Sequence, residues 1–96
     1  MMIVLSYDVD TRDRAGEKRL RQVAKICESY GCRVQNSVFE LLVEPAQLVA
    51  LKAALLHTID LQRDSVRLYR LGSNWKPRIE SLGKALRYEQ DGVILL

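Results

Sequence analysis

Ninety-six residues with 48% apolar and 28% charged side chains make one domain of ordinary soluble composition, too apolar for a disordered chain. No apolar run approaches the roughly 20 residues of a membrane-spanning helix. Fifteen Lys and Arg against twelve Asp and Glu give a net charge of +3 and a pI near 9.1. At 6% the aromatics are too few for an extended base-stacking platform, and the single histidine excludes a histidine metal cluster or a two-histidine nuclease. Cys27 and Cys32 match neither a redox CxxC nor a zinc ribbon, and the scattered glycines match no P-loop or dinucleotide fingerprint. Met1-Met2 runs straight into a strand with no basic leader, so the expected compartment is the cytoplasm.

Met2 to Asp8 reads as the first strand, with Ile3, Leu5 and Tyr7 alternating with Val4, Ser6 and Asp8 in a mostly apolar run that suits the centre of a sheet. The polar stretch Asp10-Thr11-Arg12-Asp13 then precedes a helix from about Ala15 or Glu17 to Tyr30, with Leu20, Val23, Ala24 and Cys27 at helical spacing. Gly31 is expected to end that helix in the left-handed cap conformation. Residues 33–43 read as one long strand or, preferably, as two short strands turning near Asn36-Ser37. Glu44-Pro45 opens a second helix, with Leu48, Leu51, Leu55 and Ile59 as its buried stripe. Ser65 to Leu71 is a further strand, with Val66 and Leu68 on one face and Arg67, Tyr69 and Leu71 on the other; Gly72-Ser73-Asn74 ends it.

The order βαββαβ predicts an α+β, ferredoxin-like core over residues 1–71: an antiparallel sheet with both helices on one face. Residues 72–96 read as a linker and short strands of the same domain. Arg78 to Leu82 and Gly92 to Leu96 are the expected strands of this C-terminal β extension. The terminal run, almost wholly apolar, is expected to pair with a sheet edge of its own chain, a second copy or a partner.

Three groups of residues have chemistry to offer. Asp8, at a strand end beside Asp10, can hold a hard cation such as Mg2+ through one or two oxygens. The alternative is that Asp8 and Asp10 cap the next helix or shape its turn. One carboxylate is a poor metal site alone, an objection that two copies of Asp8 across a dimer axis would remove. Second, positive charge is concentrated between Arg12 and Arg33, with seven basic against three acidic residues. Arg14, Lys18, Arg21 and Lys25 share one helical face, which can track a phosphate backbone or be a solvated outer surface. Third, Tyr7, Phe39 and Trp75 are possible stacking groups, although packing is the preferred reading of Phe39 and Trp75. His57 lies in the last turn of the second helix, where a structural role is expected.

Tyr7-Asp8, the helix core Val23-Ala24-Lys25-Ile26, the run from Gly31 to Glu40 (GCRVQNSVFE) and the strand Asp64-Ser65-Val66-Arg67-Leu68-Tyr69 together resemble the CRISPR-associated Cas2 family of small adaptation proteins. The resemblance covers about residues 2–71 and rests most on Gln-x-Ser-Val-Phe-Glu at this distance from Tyr-Asp. It implies a ferredoxin-like homodimer with endonuclease activity on single-stranded RNA or duplex DNA. Asp8 would bind Mg2+ or Mn2+ near the two-fold axis, and Tyr7, Arg33 and Phe39 match positions linked to activity or substrate contact. It also implies a role in spacer acquisition, with the dimer bridging dimers of the CRISPR integrase, Cas1, and helping to hold the DNA to be inserted. Arg12, Arg14, Lys18, Arg21 and Lys25 are the candidate nucleic-acid contacts. A non-catalytic, nucleic-acid-binding adaptor is the alternative.

Overall fold

The computed structural model describes residues 1–83 of the chain. β1 (Met2–Asp8) leads to α1 (Arg14–Glu28), β2 (Gly31–Gln35), β3 (Val38–Leu42), α2 (Pro45–Thr58) and β4 (Ser65–Gly72), followed by a 3-10 turn at Lys76–Arg78. The sheet order is β2-β3-β1-β4 and every pairing is antiparallel. This is the expected ferredoxin-like architecture. β1 is central, which explains why its sequence is apolar on both faces.

One face of the sheet carries the core. Ile3, Leu5 and Tyr7 of β1 and Phe39 and Leu41 of β3 pack against Val23, Ala24 and Cys27 of α1 and Leu48, Leu51 and Leu55 of α2 in a single cluster. Both helices therefore cover the same face. The other face carries no helix and is open in part: Val4, Ser6 and Val38 are half-buried and Leu42 and Tyr69 exposed, whereas Met2 and Glu40 are buried. No helix among the described residues is long and apolar enough to cross a membrane.

The preferred two-strand reading of residues 33–43 holds, with the turn at Asn36-Ser37. Its position is fixed from β1, since the Tyr7 amide donates to the Ser37 carbonyl at 3.1 Å and the Tyr7 hydroxyl to the Asn36 carbonyl at 3.2 Å. At α2 the Glu44 amide donates to Gln47 Oε1 at 2.7 Å, and Pro45 occupies the first turn as expected.

Two expectations need correction. Gly31 does not cap α1: the helix ends at Glu28 with Ser29 in right-handed conformation, and Gly31 is the first residue of β2. A glycine is needed there for closeness, since a Cβ would fall on the Glu40 carbonyl oxygen and the Leu41 side chain of β3. Residues 78–82 do not form a strand either. Pro77 lacks an N–H for a ladder, and the chain instead turns at Lys76–Arg78, with the Arg78 amide donating to the Trp75 carbonyl at 2.8 Å. Residues 79–82 then lie beside Val34, Gln35 and Glu40, where they line a cleft. The strand expected at Gly92 to Leu96 lies outside the described residues.

Candidate active site

β1 emerges between β3 and β4, so its C-terminal end is held from both sides. Asp8 is its last ladder residue and pairs with Ser65 of β4. Strand alternation turns the Asp8 side chain away from the core to the open face, where it is exposed. It makes no hydrogen bond or ion pair with another described residue. Ser6 and Arg67, register partners two residues further along the ladder, point to that same face. Arg67 is exposed, with its guanidinium 5.4 Å from the ring centroid of Tyr69. A carboxylate and a guanidinium thus share the end of the open face.

Asp8 and Asp10 have different surroundings. The Asp10 carboxylate accepts from Arg12 Nε at 2.9 Å, from the Arg12 amide at 3.1 Å and from Arg63 Nε at 3.2 Å. The Arg12 side chain first, then Arg63 and the Arg12 amide, hold its carboxyl well below the usual range. Both oxygens are occupied, so Asp10 shapes the turn and is not a second cation ligand to Asp8. Arg63 reaches on to Asp13 Oδ2 at 3.1 Å, and Asp13 caps α1 by accepting from the Gly16 amide at 2.8 Å. Of the two readings of this acidic run, turn and cap chemistry applies to Asp10 and Asp13, and Asp8 is left over.

Beneath this surface network is a pair the sequence reading did not single out. The Asp64 side chain has no exposed surface. Its Oδ1 accepts from the Asp10 amide at 3.0 Å, and its Oδ2 accepts from the Asp60 amide at 2.9 Å and from Arg19 Nε at 2.7 Å. Burial pushes the Asp64 carboxyl up, but Arg19 and the two amides outweigh it and hold it below its ordinary value. Arg19 Nη2 also reaches the Asp10 carbonyl at 3.4 Å. Arg19 is separated from Asp64 by 45 residues, and the only sequence signal for their meeting was that Asp64 immediately precedes the strand paired with β1.

Tyr7, Arg33 and Phe39 form a separate cluster on the helix side of the sheet. Phe39 is fully buried, its ring centroid 6.1 Å from that of Tyr7. The Arg33 guanidinium lies 5.2 Å from the Phe39 centroid and bonds Glu28 of α1 at 3.3 Å. Burial raises the Tyr7 hydroxyl above its ordinary pKa, partly offset by Arg33. The sheet separates this cluster from the Asp8 carboxylate. With no exposed surface, Phe39 acts on any ligand only through its neighbours.

Arg14, Lys18, Arg21 and Lys25 are all exposed along α1 and make no ion pair with another described residue. Eleven residues at 1.5 Å each make this a stripe of about 16 Å. Arg12 is different, because its charge is shared with Asp10. Among the described residues no group of three or more His, Cys, Asp or Glu side chains could hold a metal ion. Asp8 alone therefore fits a hydrated hard cation that completes its shell with water and phosphate oxygens, not a closed protein cage.

The family model for CRISPR associated protein Cas2 matches residues 1–79. The chain is 45% identical over 96 residues to the CRISPR-associated endoribonuclease Cas2 of Nitratidesulfovibrio vulgaris, covering all of this chain and 94% of that protein. It is 52% identical over 83 residues to the CRISPR-associated endonuclease Cas2 of Halalkalibacterium halodurans, covering 86% of each. The crystal structure of Streptococcus pyogenes Cas2 at pH 6.5 superposes with a TM-score of 0.76 at 55% identity, covering 86% of this chain and 100% of that one.

Proposed function

The chain belongs to the CRISPR-associated Cas2 family, and from that premise we propose that it is an endonuclease for single-stranded RNA or duplex DNA that serves spacer acquisition as a homodimer. The observation that carries the catalytic part is Asp8: an exposed carboxylate at the end of the central strand, without a partner among the described residues and with Arg67 on the same face. The nuclease names of its relatives from N. vulgaris and H. halodurans support the reaction class.

Phosphodiester hydrolysis needs a water aligned opposite the leaving oxygen and positive charge on the non-bridging oxygens. The Asp8 carboxylate can orient that water and accept its proton. Arg67 can neutralise charge on the phosphate. Bound Mg2+ or Mn2+ would supply Lewis-acid polarisation of a phosphate oxygen, with Asp8 as its protein ligand. Tyr7, Arg33 and Phe39 support the site from the other side of the sheet, by fixing the end of β1 and the β2–β3 turn. The homodimer rests on the open face. Val4, Val38, Leu42 and Tyr69 leave it partly apolar, and a second copy stacked there about a two-fold axis brings two Asp8 carboxylates together. In adaptation that dimer bridges dimers of the integrase, while the α1 stripe and Arg12 contact the DNA.

Asp8→Asn tests the assignment. It is expected to lower metal-dependent cleavage on the order of 10²- to 10³-fold with the fold intact by circular dichroism. Undiminished cleavage removes Asp8 from the chemistry. The adaptor reading is favoured by one observation, that the stripe and Asp8 lie on opposite sides of the sheet. Spacer acquisition that persists in the Asp8→Asn strain establishes that role as independent of cleavage.

A further inference from the structure

We propose that Asp64 is a positioning residue for Asp8, holding the end of β1 so that the Asp8 side chain leaves the backbone toward the substrate in one direction. This inference rests on the reading of Asp8 as the ligand and base of the site.

The Asp64 carboxylate bonds main-chain atoms of the two loops that flank β1 and β4 at this end of the sheet. It takes the amide of Asp10, two residues beyond Asp8, and the amide of Asp60 in the loop leading to β4. Arg19 occupies the rest of the carboxylate and also reaches the Asp10 carbonyl, so both the amide and the carbonyl of Asp10 are held. Val9, between Asp8 and Asp10, is buried in the core. Ser65, covalently next to Asp64, is the ladder partner of Asp8. The backbone of Asp8 is therefore fixed from the pairing strand, from the core and from the clamp ahead of it. Only the side-chain torsions of Asp8 remain free.

A lone exposed carboxylate cannot rely on neighbouring ligands to orient it, so its backbone must do so. The clamp is largely shielded from water, with Asp64 at 0% and Arg19 at 14% side-chain exposure. Its hydrogen bonds to the carboxylate are charge-assisted. In the surface network, Arg12 at 84% and Asp13 at 52% side-chain exposure are the open partners, and solvent weakens the pairs they make.

The test compares Asp64→Asn, Asp8→Asn and the double variant. Asparagine keeps the shape of the side chain but turns a donor toward Arg19 or one of the amides. Asp64→Asn is expected to lower kcat about tenfold with KM for the nucleic acid unchanged, and to weaken binding of Mn2+ alone about tenfold. Mn2+ binding is read from paramagnetic broadening of the Asp8 and Val9 amide signals, which does not depend on turnover. Because Asp64 acts through Asp8, adding Asp64→Asn to Asp8→Asn should cost nothing more.

Should Asp8→Asn abolish cleavage and broadening while Asp64→Asn leaves both within twofold of wild type, the positioning role is overturned and the site assignment stands. Should Asp64→Asn be as harmful in the Asp8→Asn background as in the wild type, it acts elsewhere and the proposal also fails. Should Asp8→Asn itself change neither reading, both the site assignment and the positioning role fall. If Asp64→Asn does not fold, Arg19→Lys decides on the same readings. It keeps the charge, loses the fork that spans Asp64 and the Asp10 carbonyl, and is expected to shift kcat and Mn2+ binding about threefold in the same direction.

Discussion

Cys27 is sealed beneath α1 with no exposed surface, and burial pushes its thiol up to about 11, with the nearby Arg33 opposing the shift. The consequence for stability has a definite sign. Below pH 9.0, the ordinary thiol value here, folded and unfolded chains both keep the proton and the full stability is present. Between 9.0 and about 11 the unfolded chain sheds it and the folded chain does not, so stability falls as pH rises through that window. The loss attributable to Cys27 is about 1–2 kcal/mol, measured as the difference in urea unfolding between wild type and Cys27→Ala at pH 8.5 and 10.5. Tyr7 adds a loss of the same sign at higher pH, and because Cys27 is a minor cause of its raised value, most of that loss, not all of it, cancels in the difference. A pH-independent difference would remove the burial argument. At this scale the sequence was readable where a residue's role follows from its own strand or helix. Alternation put Tyr7 and Asp8 on opposite faces, and helical spacing put Cys27 in the core. The Arg19–Asp64 pair was not readable, because it depends on a side chain of α1 reaching the loop between α2 and β4, 45 residues away. Arg19 counted there only as one more positive charge.

Two glycines show how element boundaries are set by different physics. Gly31 lies against β3 with no room for a Cβ, whereas Gly72, at the end of β4, has open space around it but a φ of +79°. Gly31→Ala must push β2 away from β3 and is expected to cost about 2–3 kcal/mol, as overpacking does. Gly72→Ala meets only left-handed strain and is expected to cost about 1 kcal/mol. Denaturant midpoints of the two variants check the order, and a Gly72→Ala loss equal to that of Gly31→Ala would contradict it. The sequence reading expected Gly31 as a left-handed cap because a glycine after a helical stripe is most often one. What it could not see was the tertiary contact with β3 that claims the residue for β2. The order of elements was otherwise legible, since β1, α1 and β4 each carry a clear period. α2 is apolar all round, with Val49 and Leu56 exposed on its outer side, yet the helical spacing of Leu48, Leu51 and Leu55 marked the stripe that is buried, with Ile59 packed beside it.

At the scale of the molecule the sheet is a partition. Asp8 and Arg67 occupy the open face, and Arg14, Lys18, Arg21 and Lys25 line the outer side of α1 across the core. Sequence reading placed the stripe and Asp8 each correctly on its element. It named them as separate groups but could not show that the sheet lies between them, because their separation lies in the third dimension, not along the chain. Binding and cleavage should therefore come apart under mutation. Phosphate contacts release counterions, so the logarithm of the association constant falls with that of salt by about 0.9 per duplex phosphate contacted. On the proposed docking of duplex along α1, reversing Arg14 and Lys18 to Glu removes two such contacts in each protomer of the proposed dimer. The slope for duplex DNA is expected to become shallower by about 2 if one protomer's stripe is engaged, and by about 4 if the dimer engages both. Cleavage of substrate supplied well above the dissociation constant should stay near wild type, because the reversed residues are remote from Asp8. Asp8→Asn should do the opposite, leaving the slope alone while turnover falls. Fluorescence anisotropy titrations across a range of salt, run beside saturating cleavage assays, separate the two. An unaltered slope after the double reversal would move the duplex off α1 and leave the open face, with Arg67, to hold it.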